Sequence, residues 1–261
     1  MKPGLDLIDT HCHLDAVEFA ADRDQLVAQS LVAGVSTLVV PAVTAPGFAQ
    51  TRQMAQLYPC CRIALGLHPI YIQSHLPQHL SWLRAQLAQG GVVAVGEIGL
   101  DGFVPGLDMA AQEVLFVAQL QLAAEFDLPV LMHIRKAQDL ILKHVRRIRV
   151  KGGIAHAFNG SRQQADEFIK LGFRLGFGGA MTFDRARRIR ELAATLPLQA
   201  LVLETDAPDM APAWAYRQRN SPVHLPRIAS VLAELRQMTL ADVAAATSAN
   251  ARELLGLSAP A

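Results

Sequence analysis

Eight short runs of consecutive apolar, often β-branched residues punctuate the chain, at about 5–10, 36–42, 62–67, 92–97, 129–133, 150–156, 173–178 and 200–205. Between and after them lie segments with helical patterning, near 22–33, 45–57, 77–89, 109–126, 137–148, 161–170, 184–195, 224–237 and 240–255. Val92, Val93, Ala94 and Val95 are apolar at successive positions, as expected of a strand covered on both faces. Val114, Phe116, Val117, Leu120 and Leu122 instead give one broad stripe on a helix. Ser161 and Thr239 stand at N-cap positions, and Gly34, Gly172 and Gly256 follow helical runs where glycine suits the C-terminal turn. Strands alternating with helices imply parallel pairing, and eight such units predict a (β/α)8 barrel.

Composition narrows this picture. At 261 residues, with 51% hydrophobic and 18% charged, the chain has the size of one α/β barrel with a large core, so residues 1–261 are expected to form a single TIM-barrel domain. The net charge is +1, which lacks the strongly basic signature of a protein that coats nucleic acid, so any polyanion must be gripped locally. The first strand run starts within a few residues of the N-terminus, with no leader pattern, and no run approaches membrane-spanning length. A cytoplasmic protein without membrane contact is expected. The three cysteines, with Cys60 and Cys61 adjacent, suit neither a disulfide framework nor zinc-ligand spacing; small residues at a helix-to-strand turn are the simpler reading.

The candidate chemistry lies at the ends of five strand runs: His11 and His13 in LDLIDTHCHLD, Glu97 in VVAVGEIGLD, His133 in PVLMHIR, His156 in GGIAHAF and Asp206 in ALVLETDAP. A doubly wound open sheet has the same alternation, but it does not gather the ends of its first, fourth, fifth, sixth and eighth strands at one crevice. Closure into a barrel does. His11 and His13, two apart on a strand, leave one face while Cys12 points the other way. Glu97 and Asp206 each end an apolar strand, where an unpartnered carboxylate is costly.

Four imidazoles and two carboxylates suffice for two divalent ions with positions left open for water. Glu97, with two oxygens, is the natural bridge, and zinc, manganese or magnesium are candidate ions. Two adjacent ions serve in-line attack in phosphoesterases and nucleases, with Asp206 available to take up the proton of the attacking water. Glu97 and Asp206 are therefore the catalytic candidates. An ion that merely stiffens a fold sits in a closed four-ligand site, whereas this set spans five strands.

The blocks IDTHCHLD, GLHP, GEIGLD, PVLMHIRKA, AHAFNGS, LETDAP, RNSPVHLP and TSANARELLGL resemble, in order and along the whole chain, those of the TatD family of metal-dependent deoxyribonucleases. The resemblance implies a TIM barrel of the amidohydrolase superfamily with a two-metal site acting on DNA phosphodiesters, as an exonuclease. It carries the ligand pair to His11 and His13, the bridge to Glu97, two further ligands to His133 and His156, and the last to Asp206. It also places His68 at the mouth, in reach of a substrate phosphate or simply packed before Pro69. The chain departs from the family after GEIGLD, where Gly102 precedes Phe103, and at Ala207, Pro208, Asp209 and Met210. Both stretches should rim the pocket.

Arg135, two residues beyond His133, is a candidate phosphate clamp or a solvated surface charge. Of two basic runs, Arg185, Arg187, Arg188 and Arg190 should lie near the mouth, and Lys143 to Lys151, with Arg146, Arg147 and Arg149 between, should end at the far face. Trp214 is either a platform for a base or ordinary packing. Glu204 and Asp101 are candidates to orient ligand histidines. The leading expectation is a metal-dependent DNA phosphodiesterase acting on single strands or ends, with no protein partner indicated. Alternatives are a metal-dependent hydrolase of another ester, lactone or amide, including an aminoacyl-tRNA ester, and a metal-bearing interaction protein without turnover.

Overall fold

In the computed structural model, which describes residues 5–258, the strands are β1 (Leu7–Asp9), β2 (Val35–Pro41), β3 (Cys61–Leu65), β4 (Ala94–Asp101), β5 (Val130–Arg135), β6 (Gly153–Ala155), β7 (Phe173–Phe177) and β8 (Leu201–Leu203). The helices are α1 (Arg23–Val32), α2 (Phe48–Leu57), α3 (Gln78–Ala88), α4 (Met109–Glu125), α5 (Gln138–Arg147), α6 (Arg162–Lys170), α7 (Arg187–Thr195), α8 (Leu225–Arg236) and α9 (Leu240–Leu255). Neighbouring strands pair in parallel in the order β1 to β8. Backbone bonds beyond β8 and β1 join the two edges: Thr10 N donates to Leu203 O at 3.0 Å, Asp206 N to His11 O at 2.8 Å and His13 N to Ala207 O at 2.8 Å. The sheet thus closes into the expected (β/α)8 barrel.

A buried carboxylate fastens this seam. Asp9 accepts from Thr205 N at 2.9 Å, Thr205 Oγ1 at 2.5 Å and His11 N at 3.2 Å. Complete burial pushes its carboxyl up to about 7, against the pull of the Thr205 hydrogen bonds. Asn220, fully buried, braces the stretch after β8 by donating to Thr205 O at 2.7 Å and Asp209 O at 2.8 Å.

Ile8, Val39, Ala64, Ala94, Leu131, Ile154 and Val202, one from each of seven strands, form one apolar cluster. Side chains from all round a closed sheet meet only along its axis, so this cluster is the barrel interior. Ala251, Leu254 and Leu255 of α9 pack on it, and Leu254 also lies close to Gly152 at the start of β6, so α9 seals the N-terminal end. The opposite mouth is left for chemistry. A larger cluster lies between strands and helices, with Phe116, Phe168 and Phe173 among its buried members.

The caps fall where the sequence indicates. Ser161 and Gln164 form a reciprocal capping box, Thr239 accepts from Asp242 N, and Gly34, Gly172 and Gly256 have positive φ. Some boundaries differ. Residues 45–47 form a 3₁₀ turn before α2, and β6 starts only after a turn at Gly152. Residues 184–186 lie in a turn in which Ala186 N bonds Phe183 O, so Arg185 precedes α7 rather than belonging to it. Among the described residues no helix is long and apolar enough to cross a membrane.

Candidate metal centre

The strand pleat that fills the interior also builds the mouth. His133 lies on β5 two residues beyond the inward Leu131, hence on the same face, and His156 and Asp206 follow just past the ends of β6 and β8. On β4 a register irregularity between Val95 and Ile98 brings Glu97 to the inside. Two glycines make the approach possible. A Cβ on Gly99, where φ is +146°, would meet His133 O at 2.0 Å, and one on Gly176 would meet the Glu204 carboxylate at 2.1 Å. Asp206 itself has φ +57°, a left-handed conformation that aims its carboxylate back across the barrel mouth.

Four side chains from β1, β4 and β8 converge. His11 Nε2 lies 3.3 Å from His13 Nε2, 3.0 Å from Glu97 Oε2 and 3.8 Å from Asp206 Oδ1. His13 Nε2 is 3.5 Å from Glu97 Oε2 and 3.6 Å from Asp206 Oδ1. Donors about 2.1 Å from a tetrahedral ion stand about 3.4 Å apart, so His11, His13 and Asp206 have nearly the spacing of a ligand shell, with Glu97 Oε2 beside the two histidines. On the other side of Glu97, its Oε1 is 3.1 Å from His68 Nε2 and 3.2 Å from His133 Nδ1, making a second group that could hold an ion. His156 joins His11 and Glu97 in a third grouping, its ring stacked on His11 at 3.7 Å and its Nε2 3.4 Å from Asp206 Oδ2. The mixed imidazole and carboxylate chemistry fits divalent transition ions.

Protonation follows from this crowding. Burial lowers His11 and His68, favouring the neutral imidazoles that metal ligation needs. Burial would raise Glu97, but the surrounding His68 and His11 imidazoles hold it well below the usual carboxylate range. Burial likewise opposes ionisation of Asp206, and His156, His11 and His13 outweigh it. For His133 burial opposes charging, but the hydrogen bonds to Asp101 and Glu97 prevail and raise it to about 9.

The two expected orienting carboxylates are in place. Asp101 Oδ2 accepts from His133 Nε2 at 2.8 Å, while its Oδ1 accepts from the backbone of Phe103 and Val104 at 2.8 and 2.9 Å. Glu204 Oε1 lies 3.0 Å from His156 Nδ1 and accepts from Ala157 N at 2.6 Å. Cys12 is buried in the outer core, away from His11 and His13.

His68 is buried with Nε2 turned to Glu97, so its place is in the donor cluster rather than on the open rim. The sequence carried no signal for that pairing beyond a histidine after a strand. Arg135 does reach the rim, where its guanidinium stacks 3.8 Å over the half-exposed Phe103 ring. Trp214 follows the packing alternative: its Nε1 donates to His224 Nδ1 at 3.2 Å, and Arg227 covers its ring at 4.1 Å. Arg146 at the end of α5 pairs with Glu167 at 2.8 Å. The Asp9–Thr205 clamp carries no signal in the sequence, whereas Asn220 stands in the irregular RNSPVHLP stretch expected to cross the catalytic face.

The sequence profile of the family described as TatD related DNase matches residues 8–256. The chain is 40% identical over 253 residues to the uncharacterized metal-dependent hydrolase YjjV of Escherichia coli K12, covering 96% of this chain and 98% of that one. It is 35% identical over 259 residues to the 3'-5' ssDNA/RNA exonuclease TatD of Citrobacter rodentium, again covering 96% and 98%. The crystal structure of YjjV superposes with a TM-score of 0.94 at 39% identity, over 97% of this chain and 98% of that one.

Proposed function

The chain belongs to the TatD-related DNase family of metal-dependent hydrolases, and from that premise we propose that it hydrolyses phosphodiester bonds of DNA at a strand end, using two divalent ions. The observation that carries this reading is the placement of Glu97, with one carboxylate oxygen beside His11 and His13 and the other between His68 and His133. A relative 35% identical is named an exonuclease for single-stranded DNA and RNA, which supports the same substrate class.

His11, His13 and Asp206 would hold one ion, with His156 beside them, and His68, Glu97 and His133 would hold the other. When bound, such ions neutralise phosphate charge and lower the pKa of water. Asp206, with 15% of its side chain exposed, is the carboxylate that faces the mouth, and it is ionised at neutral pH. It takes the proton of the attacking water as the new P–O bond forms and the strand P–O bond breaks. His133 is held by Asp101, which keeps its ring aimed inward, and the Glu204 carboxylate lies 3.0 Å from His156 Nδ1. Arg135, fixed against Phe103, offers its guanidinium to a strand phosphate at the rim.

The test is digestion of 3'-labelled and 5'-labelled single-stranded oligonucleotides by metal-reconstituted protein, beside a panel of lactones and amides. Stepwise, chelator-sensitive shortening of DNA supports the proposal. Turnover confined to the lactone or amide panel would sink it.

A further inference from the structure

Next to the metal centre lies a cavity of about 330 Å³ whose walls include Phe183, Ile189, Met210 and Ala211, with Arg185 as the one charged residue lining it among the described residues. Its size is at the lower end of the range of small-molecule sites. The Arg185 guanidinium stands 5.6 Å from the centre of the Phe183 ring, so cation and aromatic plane are presented together. No carboxylate of the described residues lines the cavity; Asp184, next in the chain, points to solvent and lies 3.7 Å from Arg190. Ala180, Ile189 and Met210 also line the narrow cleft that runs to Glu204, Thr205 and Asp206. The cavity therefore adjoins the cleft beside Asp206, with which it shares these three wall residues.

An open, mostly apolar hollow with an aromatic ring and one guanidinium in its wall suits a planar, weakly polar group that carries an anion. We propose that this cavity is a nucleotide subsite: it seats one nucleobase of the strand against Phe183 and Met210, with the phosphate of that nucleotide on Arg185. The assignment rests on the nuclease reading above for its substrate class and adds what it lacks, a place where a base is distinguished from bare sugar-phosphate. Stacking a base on an aromatic side chain is tolerant of sequence, so the subsite grips any base. Met210, which lines the cavity with a φ of +48°, lies in one of the two stretches where this chain departs from its family pattern. Its unbranched thioether can adapt to purine or pyrimidine.

The test uses full-length protein titrated by calorimetry with deoxyadenosine 5'-monophosphate, deoxyribose 5-phosphate and inorganic phosphate. Wild type is expected to prefer the nucleotide over the sugar phosphate by roughly 5- to 150-fold, the range that stacking one base is worth. Phe183→Ala should bring that ratio close to one, and Arg185→Ala should weaken both organic phosphates. Phe183 and Arg185 are partly or fully exposed, so both variants should fold; a circular dichroism melt checks this. A ratio near one in wild type, or one unchanged in Phe183→Ala, would overturn the subsite. The two readings fail separately. Base preference without any DNA cleavage would remove the nuclease proposal and leave the subsite, whereas cleavage of abasic and base-bearing strands at equal rates would remove only the subsite.

Discussion

Glu97 turns one carboxylate oxygen to His11, at 3.0 Å, and the other to His68, at 3.1 Å. A single buried side chain thus stands between two sets of imidazoles, and removing it should affect both. Glu97→Gln keeps the shape but loses the charge, and it should lower hydrolysis at least 100-fold, since even orienting partners of metal ligands are worth about 10- to 100-fold. Steady-state rates at saturating metal check this.

Asp101 ties the Phe103 loop to His133, and its charge helps hold His133 at about 9. In the metal-free protein the proton on His133 stabilises the fold below about pH 6.5, and that contribution is lost as pH rises through about 9. On the proposed ligation a metal must displace this proton and that of His156, which Glu204 and Asp206 raise against burial, so apparent metal affinity should rise by more than tenfold per pH unit up to about pH 9. In Asp101→Asn this break should move to lower pH and the affinity above it should fall about 10- to 100-fold. Metal titrations across pH 6 to 10 test both effects; identical profiles for the two proteins would refute the coupling.

The candidate ligands at the strand ends were legible because an apolar strand that stops at His133, His156 or Asp206 announces both its burial and its exception. Helix limits were legible where a cap such as Ser161 or Gly256 marks them. What escaped depends on pairs distant in sequence. His68 meets Glu97 only because β3 and β4 are neighbours, and Asp9 meets Thr205 only once the barrel closes. Arg185 looked like the start of a helix, yet the turn at Phe183 puts it on a cavity wall instead. Sequence periodicity sees elements, not the spaces between them.

Arg185 and Arg187 lie at the entry to α7, while Arg146 at the end of α5 is already engaged by Glu167. Neutralising Arg185 and Arg187 should weaken single-stranded DNA binding and flatten its logarithmic salt dependence by about 0.7 for each phosphate that is no longer neutralised. Neutralising Arg146 and Arg147 should leave the slope nearly unchanged. Fluorescence anisotropy over a salt series distinguishes these, and equal slopes for the two variants would contradict the assigned faces.

Cys60 is half-buried, and the neighbouring Cys61 thiol, together with Arg62, lowers it to about 7 against the opposing effect of burial. Burial raises Cys12, and Cys61 is raised by its neighbour and by burial. The Cys60 thiolate therefore forms as pH rises through about 7, and limiting iodoacetamide should modify it first in the native protein. Mass spectrometry of the alkylated protein gives the order of labelling. A labelling rate with its midpoint near pH 9, or comparable labelling of Cys12, would contradict this.

Two ions, held by the donors on either side of Glu97, are what the proposed DNA chemistry requires. The most direct measurement is metal content, by mass spectrometry of dialysed protein, taken on the same samples as cleavage of end-labelled single-stranded DNA, for wild type and Glu97→Gln. Wild type should carry two ions per chain and be active, and Glu97→Gln should carry at most one ion and lose activity. A Glu97→Gln protein that keeps chelator-sensitive cleavage at the wild-type rate would contradict the two-ion assignment.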